Sequence, residues 1–217
     1  MSLKSSLRTL VTLGQGVVQG IPEAAADRDP ILLFEEWFQA ARESGLFLPE
    51  AVALATATST GAPSVRMVLL KGVDARGFVF YTNYGSRKGK ELELNPKAAL
   101  CFHWAVLERQ VRVEGVVERV AGEESAAYFA TRGRGSRIGA WASHQSEALP
   151  SREVLEERVR RFEKEYPGED VPLPPFWGGY LLRPARMEFW QGKADRLHER
   201  LEFVRQDDVW AAQRLYP

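Results

Sequence analysis

The chain has very little cysteine, no excess of either charge and no long apolar run. Cys101 is the one cysteine among 217 residues, which excludes an intramolecular disulfide and a cysteine-rich metal site. Lysine plus arginine number 29, as do aspartate plus glutamate, so a formal net charge of zero argues against nucleic-acid binding through bulk positive charge. Without a run of about 18 apolar residues, we predict no membrane span. We also predict no signal peptide and expect a cytoplasmic protein.

What the sequence does have is the composition of a folded protein, with 45% hydrophobic and 27% charged residues. Residues 1–28 lack clear periodicity, and we interpret them as a flexible amino-terminal arm. Residues 29–217 show no internal repeat and no linker, so we predict a single domain there. It begins with a helix that Asp29 caps and Pro30 opens.

Short runs rich in apolar and β-branched residues recur along this domain, separated by turn residues. Helical patterns lie at 30–45, 87–94, 123–131 and 151–166. Strand patterns lie at 51–58, 65–71, 77–82, 99–104, 110–118, 178–183, 186–191, 198–205 and 209–215. The predicted fold class is mainly β with flanking helices (α+β), with roughly six to eight antiparallel strands closed enough to protect their edges.

One group of cations surrounds two predicted strands. Arg66 and Lys71 bracket the apolar run 67–70, which we expect to be buried, and each cation would then need an anion nearby. After the next strand, a serine begins a helix together with Arg87 and Lys88. Free backbone N–H groups, a hydroxyl and two cations suit a phosphate. The alternative is a solvated helix start with ordinary surface cations.

A second group has the spacing of one helical face. Tyr128, Arg132 and Ser136 recur at every fourth position, but Gly133 and Gly135 make a continuous helix doubtful. A loop broken by glycines would still let two hydroxyls and a guanidinium converge on one anion. In the alternative, the tyrosine packs and the arginine is solvated.

A third group follows a predicted glycine turn. Arg196, His198 and Arg200 alternate along a predicted strand, with Trp190 near the end of the preceding one. Three cation-capable groups on one strand face repel each other unless a ligand or carboxylate lies among them. No cluster of His, Asp and Glu has ligand spacing, so we predict no metal. Dinucleotide and Walker glycine motifs are also missing from the sequence.

At these residues the sequence resembles the pyridoxamine/pyridoxine 5′-phosphate oxidase family. So many matches in family order, from about residue 29 to the end, are specific together, although any one of them alone would be weak. The matching stretches are Arg66-Met-Val-Leu-Leu-Lys71, Phe80-Tyr-Thr-Asn, Gly85-Ser-Arg-Lys88, Leu107-Glu-Arg-Gln110, Ser136-Arg-Ile-Gly-Ala, Ser143-His-Gln-Ser146, Phe176-Trp-Gly-Gly179, Glu188-Phe-Trp-Gln-Gly192 and Arg196-Leu-His198.

The resemblance implies an FMN-binding split β-barrel homodimer, with one FMN in each of two clefts at the subunit interface. It also implies oxidation of pyridoxamine or pyridoxine 5′-phosphate by dioxygen. The products are pyridoxal 5′-phosphate and hydrogen peroxide, and the amine also releases ammonia. The flavin would carry the redox chemistry, and the protein would stack the substrate ring at a reactive distance.

Carried over by position, the family's residues fall into three sets. The cofactor set is Arg66, Met67, Val68, Leu69, Leu70, Lys71, Tyr81, Thr82, Arg87, Lys88, Gln110, Gln145, Ser146, Trp190 and Arg200. The substrate set is Lys71, Tyr128, Arg132, Ser136, Arg196 and His198. Arg196 and His198 would flank the reacting ring and form the catalytic set, with orienting and electrostatic roles.

One departure from the family concerns the loop after Tyr128. The family has Ser-Arg-Pro where this sequence has Thr131-Arg132-Gly133, and glycine for proline gives the loop that positions Arg132 more freedom. Two alternatives stay open beside the oxidase. One is a related split-barrel flavin oxidase with a different substrate, and the other is a non-catalytic protein that binds flavin or pyridoxal phosphate.

Overall fold

The computed structural model describes residues 20–217, in which five α-helices surround eight strands. The helices are α1 Pro30–Glu43, α2 Arg87–Leu94, α3 Gly122–Ala130, α4 Arg134–Ala142 and α5 Arg152–Glu165. The strands are β1 Ala51–Ala57, β2 Pro63–Asp74, β3 Gly77–Asn83, β4 Lys97–Trp104, β5 Arg109–Arg119, β6 Trp177–Gln191, β7 Glu199–Gln206 and β8 Val209–Leu215. Short 3₁₀ helices lie at Glu23–Asp27, Ala105–Leu107 and Ala194–Arg196.

The sheet closes on itself through β6. Its order is β3-β2-β1-β4-β5-β6-β7-β8, and an additional pairing of β3 with β6 makes the first six strands a closed antiparallel barrel. The first half of β6 pairs with β3, and its second half pairs with β7. Closure leaves β3 and β6 without a free edge, and it confirms the predicted mainly β split barrel.

The interior of the barrel is aromatic. Phe34 of α1 belongs to this core and is fully buried, with its ring 4.8 Å from Phe78 and 4.9 Å from Phe102. The predicted cap of this helix is confirmed, because the Asp29 carboxylate accepts hydrogen bonds from the backbone N–H groups of Ile31 (2.7 Å) and Leu32 (3.3 Å). Helix α1 therefore covers the barrel with its apolar face.

Two predicted features are corrected here. The runs 178–183 and 186–191 are one strand, β6, whose register with β5 shifts between Glu114 and Gly115. The run 67–70 is not buried throughout: along β2 the side chains alternate, so Met67 is 63% exposed while Leu70 is in the core. One face of β2 therefore lies toward the barrel interior, and no described residue covers the other face.

The predicted arm, 1–28, divides into two parts. Residues 1–19 lie outside the described residues. Residues 20–28 pack against the domain, since Ile21 and Ala25 are buried, and the Arg214 side chain donates to the carbonyl oxygens of Ile21 (3.1 Å) and Pro22 (3.3 Å). The packed chain therefore begins before residue 29. Between residues 20 and 217, no helix has the length and apolar character needed to cross a membrane.

Candidate active site

Lys88 is the centre of the first cluster. The Lys88 side chain is 9% exposed, and its Nζ donates to Thr82 Oγ1 (3.2 Å) and Gln145 Oε1 (3.1 Å). Ser86 caps α2 one residue before Arg87, as predicted, by accepting from the Gly89 N–H at 3.3 Å. Burial and, after it, the neighbouring charge of Arg66 lower the pKa of Lys88. A buried cation whose pKa is depressed in this way favours an anionic ligand.

Arg66 joins the same cluster through a buried acid. Arg66 Nη2 lies 3.3 Å from Glu91 Oε2, and Arg87 Nε donates to Glu91 Oε1 at 2.9 Å. Burial by itself would raise the pKa of Glu91, but hydrogen bonds from Ser64, Thr56 and Arg87 outweigh it and lower that pKa to about 2. We call Arg66, Thr82, Arg87, Lys88, Glu91 and Gln145 the Lys88 cluster. Ser146 lines a cavity of about 540 Å³ together with Arg87 and Glu91.

The second cluster is built on stacked rings. Tyr128 of α3 stacks on Tyr81 of β3 with 3.9 Å between ring centroids, and both rings stack on Trp177. The Arg132 guanidinium lies 4.7 Å from the Trp177 centroid, and its Nη1 is buried without a hydrogen-bond partner among the described residues. Burial lowers the pKa of Arg132. These four residues, the Arg132 cluster, therefore hold an unused donor.

Ser136 and Lys71 have different relations to this cluster. The predicted break in the helix is confirmed: α3 ends at Ala130, α4 begins at Arg134, and Ser136 is exposed in the first turn of α4. Lys71 is the extra residue of a bulge between Leu70 and Gly72 and lines a cavity of about 400 Å³ against α1. Within the described residues it makes no hydrogen bond or ion pair with Tyr128, Arg132 or Ser136.

The third group is a row across three strands. Gln110 of β5 is the register partner of Trp190 in β6, which is the register partner of Arg200 in β7. Arg200 donates from Nε to Glu188 Oε1 at 2.9 Å and from Nη2 to Glu188 Oε2 at 3.1 Å. Three separated sequence positions, the Trp190 row, thus share one face of the sheet.

The predicted stripe of Arg196, His198 and Arg200 along one strand is wrong. Arg196 belongs to a 3₁₀ turn, with a left-handed φ of 59°, and β7 begins only at Glu199. The turn still places His198 beside the Trp190 row, because the ring centroids of His198 and Trp190 are 4.7 Å apart. His198 Nδ1 accepts from the Lys193 N–H at 3.2 Å, so a neutral His198 carries its proton on Nε2.

Two family models match this chain. One, described as pyridoxamine 5′-phosphate oxidase, matches residues 39–165, and the other, described as the pyridoxine 5′-phosphate oxidase C-terminal dimerisation region, matches residues 177–217. The chain belongs to the pyridoxamine 5′-phosphate oxidase family. It is accordingly an oxidoreductase, as the resemblance in the sequence implied, and the second match supports a homodimer.

Relatives in this oxidase family cover the whole chain or nearly all of it. A pyridoxine/pyridoxamine 5′-phosphate oxidase of Psychromonas ingrahamii is 54% identical over 217 residues, covering 100% of both chains. One of Rubrobacter xylanophilus is 58% identical over 198 residues, covering 91% of each. Among solved structures, PhzG from Burkholderia lata, in complex with tetrahydrophenazine-1-carboxylic acid, has a TM-score of 0.86 at 33% identity, covering 92% of this chain and 98% of that one.

A further solved structure shows the fold alone. A pyridoxamine 5′-phosphate oxidase-related, FMN-binding protein from Nostoc punctiforme has a TM-score of 0.70 at 17% identity and covers 88% of this chain and 99% of that chain.

Sequence reasoning missed two buried acids that pair with the predicted site residues. Glu91 and Glu188 each accept hydrogen bonds from two arginines. The spacing of Arg87 and Glu91, four apart on a helix, was a usable signal for the first. The sequence gives no comparable signal for Glu188, because its partners Arg112 and Arg200 lie on the two neighbouring strands. Among residues 20–217 no group of three or more His, Cys, Asp or Glu side chains could hold a metal ion.

Proposed function

We propose that this oxidase uses FMN to oxidise pyridoxamine 5′-phosphate or pyridoxine 5′-phosphate with dioxygen, forming pyridoxal 5′-phosphate and hydrogen peroxide. The observation that carries the proposal is the pair of cationic clusters that meet on β3. Thr82 accepts from Lys88 in one cluster, while the adjacent Tyr81, whose side chain points to the opposite face of the strand, stacks on Tyr128 in the other. A cofactor and a substrate that each carry a phosphate need two such sites.

The Lys88 cluster suits the phosphate of FMN. Lys88 is buried and positively charged, and the start of α2 adds backbone N–H groups beside it. Arg66 and Lys88 would be the main phosphate partners, with Thr82 and Arg87 completing that side. The remaining contacts proposed for the cofactor are Met67, Val68, Leu69, Leu70, Lys71, Tyr81, Gln110, Gln145, Ser146, Trp190 and Arg200.

The other residues of the site act on the substrate. Bound FMN supplies the two-electron acceptor and the reaction with dioxygen. Arg132 binds the substrate phosphate through the donor that has no partner in the protein, assisted by Tyr128, Ser136 and Lys71. Arg196 and His198 orient the pyridine ring, and the Nε2–H of His198 provides a hydrogen-bond donor to it. Catalysis then rests mainly on positioning.

The uncovered face of the sheet supports the homodimer as the complete enzyme. Val65 and Met67 of β2 are 69% and 63% exposed, and their register partners across β1 are Ala55 and Ala53. Contiguous exposed apolar surface marks an interaction site. We propose that a second copy covers this face, with one FMN in each of the two clefts between the subunits. The domain proposed to form the clefts is 29–217, and residues 20–28 pack against it.

The test uses the purified protein with FMN. We expect a yellow protein whose flavin absorbance bleaches when pyridoxine 5′-phosphate is added without oxygen and returns when oxygen is admitted. A yellow protein whose flavin is bleached by neither pyridoxine nor pyridoxamine 5′-phosphate would overturn the oxidase proposal. It would favour the alternative of a non-catalytic flavin-binding protein.

A different substrate is the second candidate. PhzG, which was solved in complex with tetrahydrophenazine-1-carboxylic acid, shares the fold and is 33% identical to this chain. The oxidases from Psychromonas ingrahamii and Rubrobacter xylanophilus are more similar, at 54% and 58%. A second phosphate site also favours a phosphate ester. Parallel bleaching assays with pyridoxine 5′-phosphate and with a phenazine precursor distinguish the two candidates, because the true substrate bleaches the flavin.

A further inference from the structure

Glu188 lies next to the Trp190 row but belongs to no set of predicted site residues. It is in β6, two residues before Trp190, so both side chains point to the same face of the sheet. Its register partners are Arg112 in β5 and Glu202 in β7. The side chain is 6% exposed although this face of the sheet is partly open. A buried carboxylate of this kind requires cationic partners.

Two arginines supply those partners. Arg200 binds Glu188 at two points, from Nε to Oε1 (2.9 Å) and from Nη2 to Oε2 (3.1 Å). Arg112 donates from Nη1 to Oε2 at 3.1 Å and from Nη2 to Glu114 Oε1 at 2.6 Å. A two-point bond fixes the plane of a guanidinium as well as its distance. The Nη1 of Arg200 donates to the Tyr216 carbonyl oxygen at 3.0 Å, which restrains the third nitrogen.

We propose that Glu188 is a positioning residue of the flavin site, which orients Arg200 toward the cofactor and offsets its charge there. The inference rests on the proposed function, because it takes Arg200 as a contact of FMN. It goes beyond that function in assigning a role to a residue that does not itself touch the cofactor.

Replacing Glu188 with glutamine isolates this role. Glutamine keeps the shape of the side chain, but its NH₂ group would face an N–H donor of Arg200 or Arg112, and two donors cannot bond each other. Arg200 would then lose one point of its two-point bond and the carboxylate that pairs directly with its positive charge, although the charge of Glu202 still acts on it. The guanidinium plane would no longer be fixed where FMN binds, and the bound flavin would lie beside more positive charge.

Glu202→Gln is the matched control. Glu202 is 5% exposed, lies directly across from Glu188 and accepts hydrogen bonds from Arg186 Nη1 (3.1 Å) and Gln213 Nε2 (2.6 Å). It thus matches Glu188 in charge, burial and strand position, but it makes no hydrogen bond to Arg200 in the described residues. Loss of a buried carboxylate in general would affect both variants equally.

The experiment measures the Kd of FMN for the apoprotein by titration, and the midpoint potential of the bound flavin. We expect Glu188→Gln to raise the Kd about tenfold, as for loss of a hydrogen bond between charged groups. We also expect it to raise the potential, because less negative charge then opposes flavin reduction. Glu202→Gln should leave the Kd within about twofold of the wild type. In an Arg200→Gln background, Glu188→Gln should add almost nothing to the Kd.

Several outcomes would overturn the inference. If Glu188→Gln and Glu202→Gln lower FMN affinity equally, Glu188 has only a structural role. If Glu188→Gln lowers FMN affinity just as much in the Arg200→Gln background, Glu188 does not act through Arg200. If Arg200→Gln leaves the Kd of FMN unchanged, Arg200 does not contact FMN and the inference is wrong. The proposed function is tested separately, by whether pyridoxine 5′-phosphate bleaches the flavin.

If Glu188→Gln does not fold, Glu188→Asp is the second variant. Aspartate keeps the negative charge, but its side chain is too short for the two-point contact with Arg200. It should raise the Kd with little change in potential, and an unaltered Kd would overturn the role.

Discussion

The Lys88 cluster and the Arg132 cluster are both cationic, but their cations differ in what they contact. In the Lys88 cluster, Arg66 and Arg87 share Glu91, and Lys88 has three oxygen acceptors. Arg132 lies against aromatic rings, with a buried Nη1 that no described residue satisfies. The first arrangement is fixed in advance and suits a cofactor that stays bound. The second keeps a donor for an anion that arrives and leaves in each turnover.

The largest effect should follow removal of the charge at Lys88. Lys88→Gln should raise the Kd of FMN about a hundredfold, since it removes a charge-assisted contact to phosphate from a buried site. With FMN at saturating concentration, kcat/KM for pyridoxine 5′-phosphate should remain within about threefold of the wild type. FMN titration and steady-state kinetics measure the two quantities. A comparable fall in saturated kcat/KM would show that the two clusters are not separate sites.

The reciprocal change is at Arg132. Arg132→Gln should lower kcat/KM for pyridoxine 5′-phosphate by at least about tenfold, mainly through KM, while the Kd of FMN stays the same. Arg152→Gln is the control, because Arg152 is an exposed arginine of α5 whose ion pair among the described residues is with Glu156, four residues on. If FMN affinity fell as far as kcat/KM, Arg132 would belong to the cofactor site instead.

A smaller effect concerns pH at the Lys88 cluster. Only the charged lysine attracts phosphate, and burial lowers the pKa of Lys88 below its usual value of 10.5. FMN affinity should therefore fall as pH rises through this lowered pKa, by at most about tenfold per pH unit, because binding must then take up a proton. Lys88→Arg should remove this fall in the alkaline range below pH 10.5. A wild-type Kd that is flat over this range would contradict the assignment of Lys88 to the phosphate.

The smallest effect should come from the loop before α4. Gly133 caps that helix with φ −56° and ψ 144°, a conformation that proline also adopts, and an added Cβ would meet nothing within 4 Å. Gly133→Pro should therefore stabilise the protein by about 0.4–1 kcal/mol and slightly lower the KM for the substrate, by restricting the loop beside Arg132. Chemical denaturation and kinetics test both effects. Loss of stability would mean that Arg132 cannot adopt the backbone required before proline.

Local rules of sequence predicted much of this structure. Caps at Asp29 and Ser86 depend on side chains that bond their own neighbouring backbone, and both occur as predicted. The break between α3 and α4 also follows from local glycines. The stripe through Arg196 failed because Asp195 and Arg196 adopt left-handed φ values of 57° and 59°, which strand alternation does not anticipate.

By itself the sequence determined the class of fold, the residue types of the site and the family, because capping, alternation and motif order are properties of neighbouring residues. Only the tertiary structure decided which cationic side chains form ion pairs with acidic ones and which do not. Glu91 meets Arg66 from 25 positions away, and Glu188 meets Arg112 from 76 positions away. Such pairs depend on strand register and on barrel closure through β3 and β6, which bring distant segments together only once the core has formed.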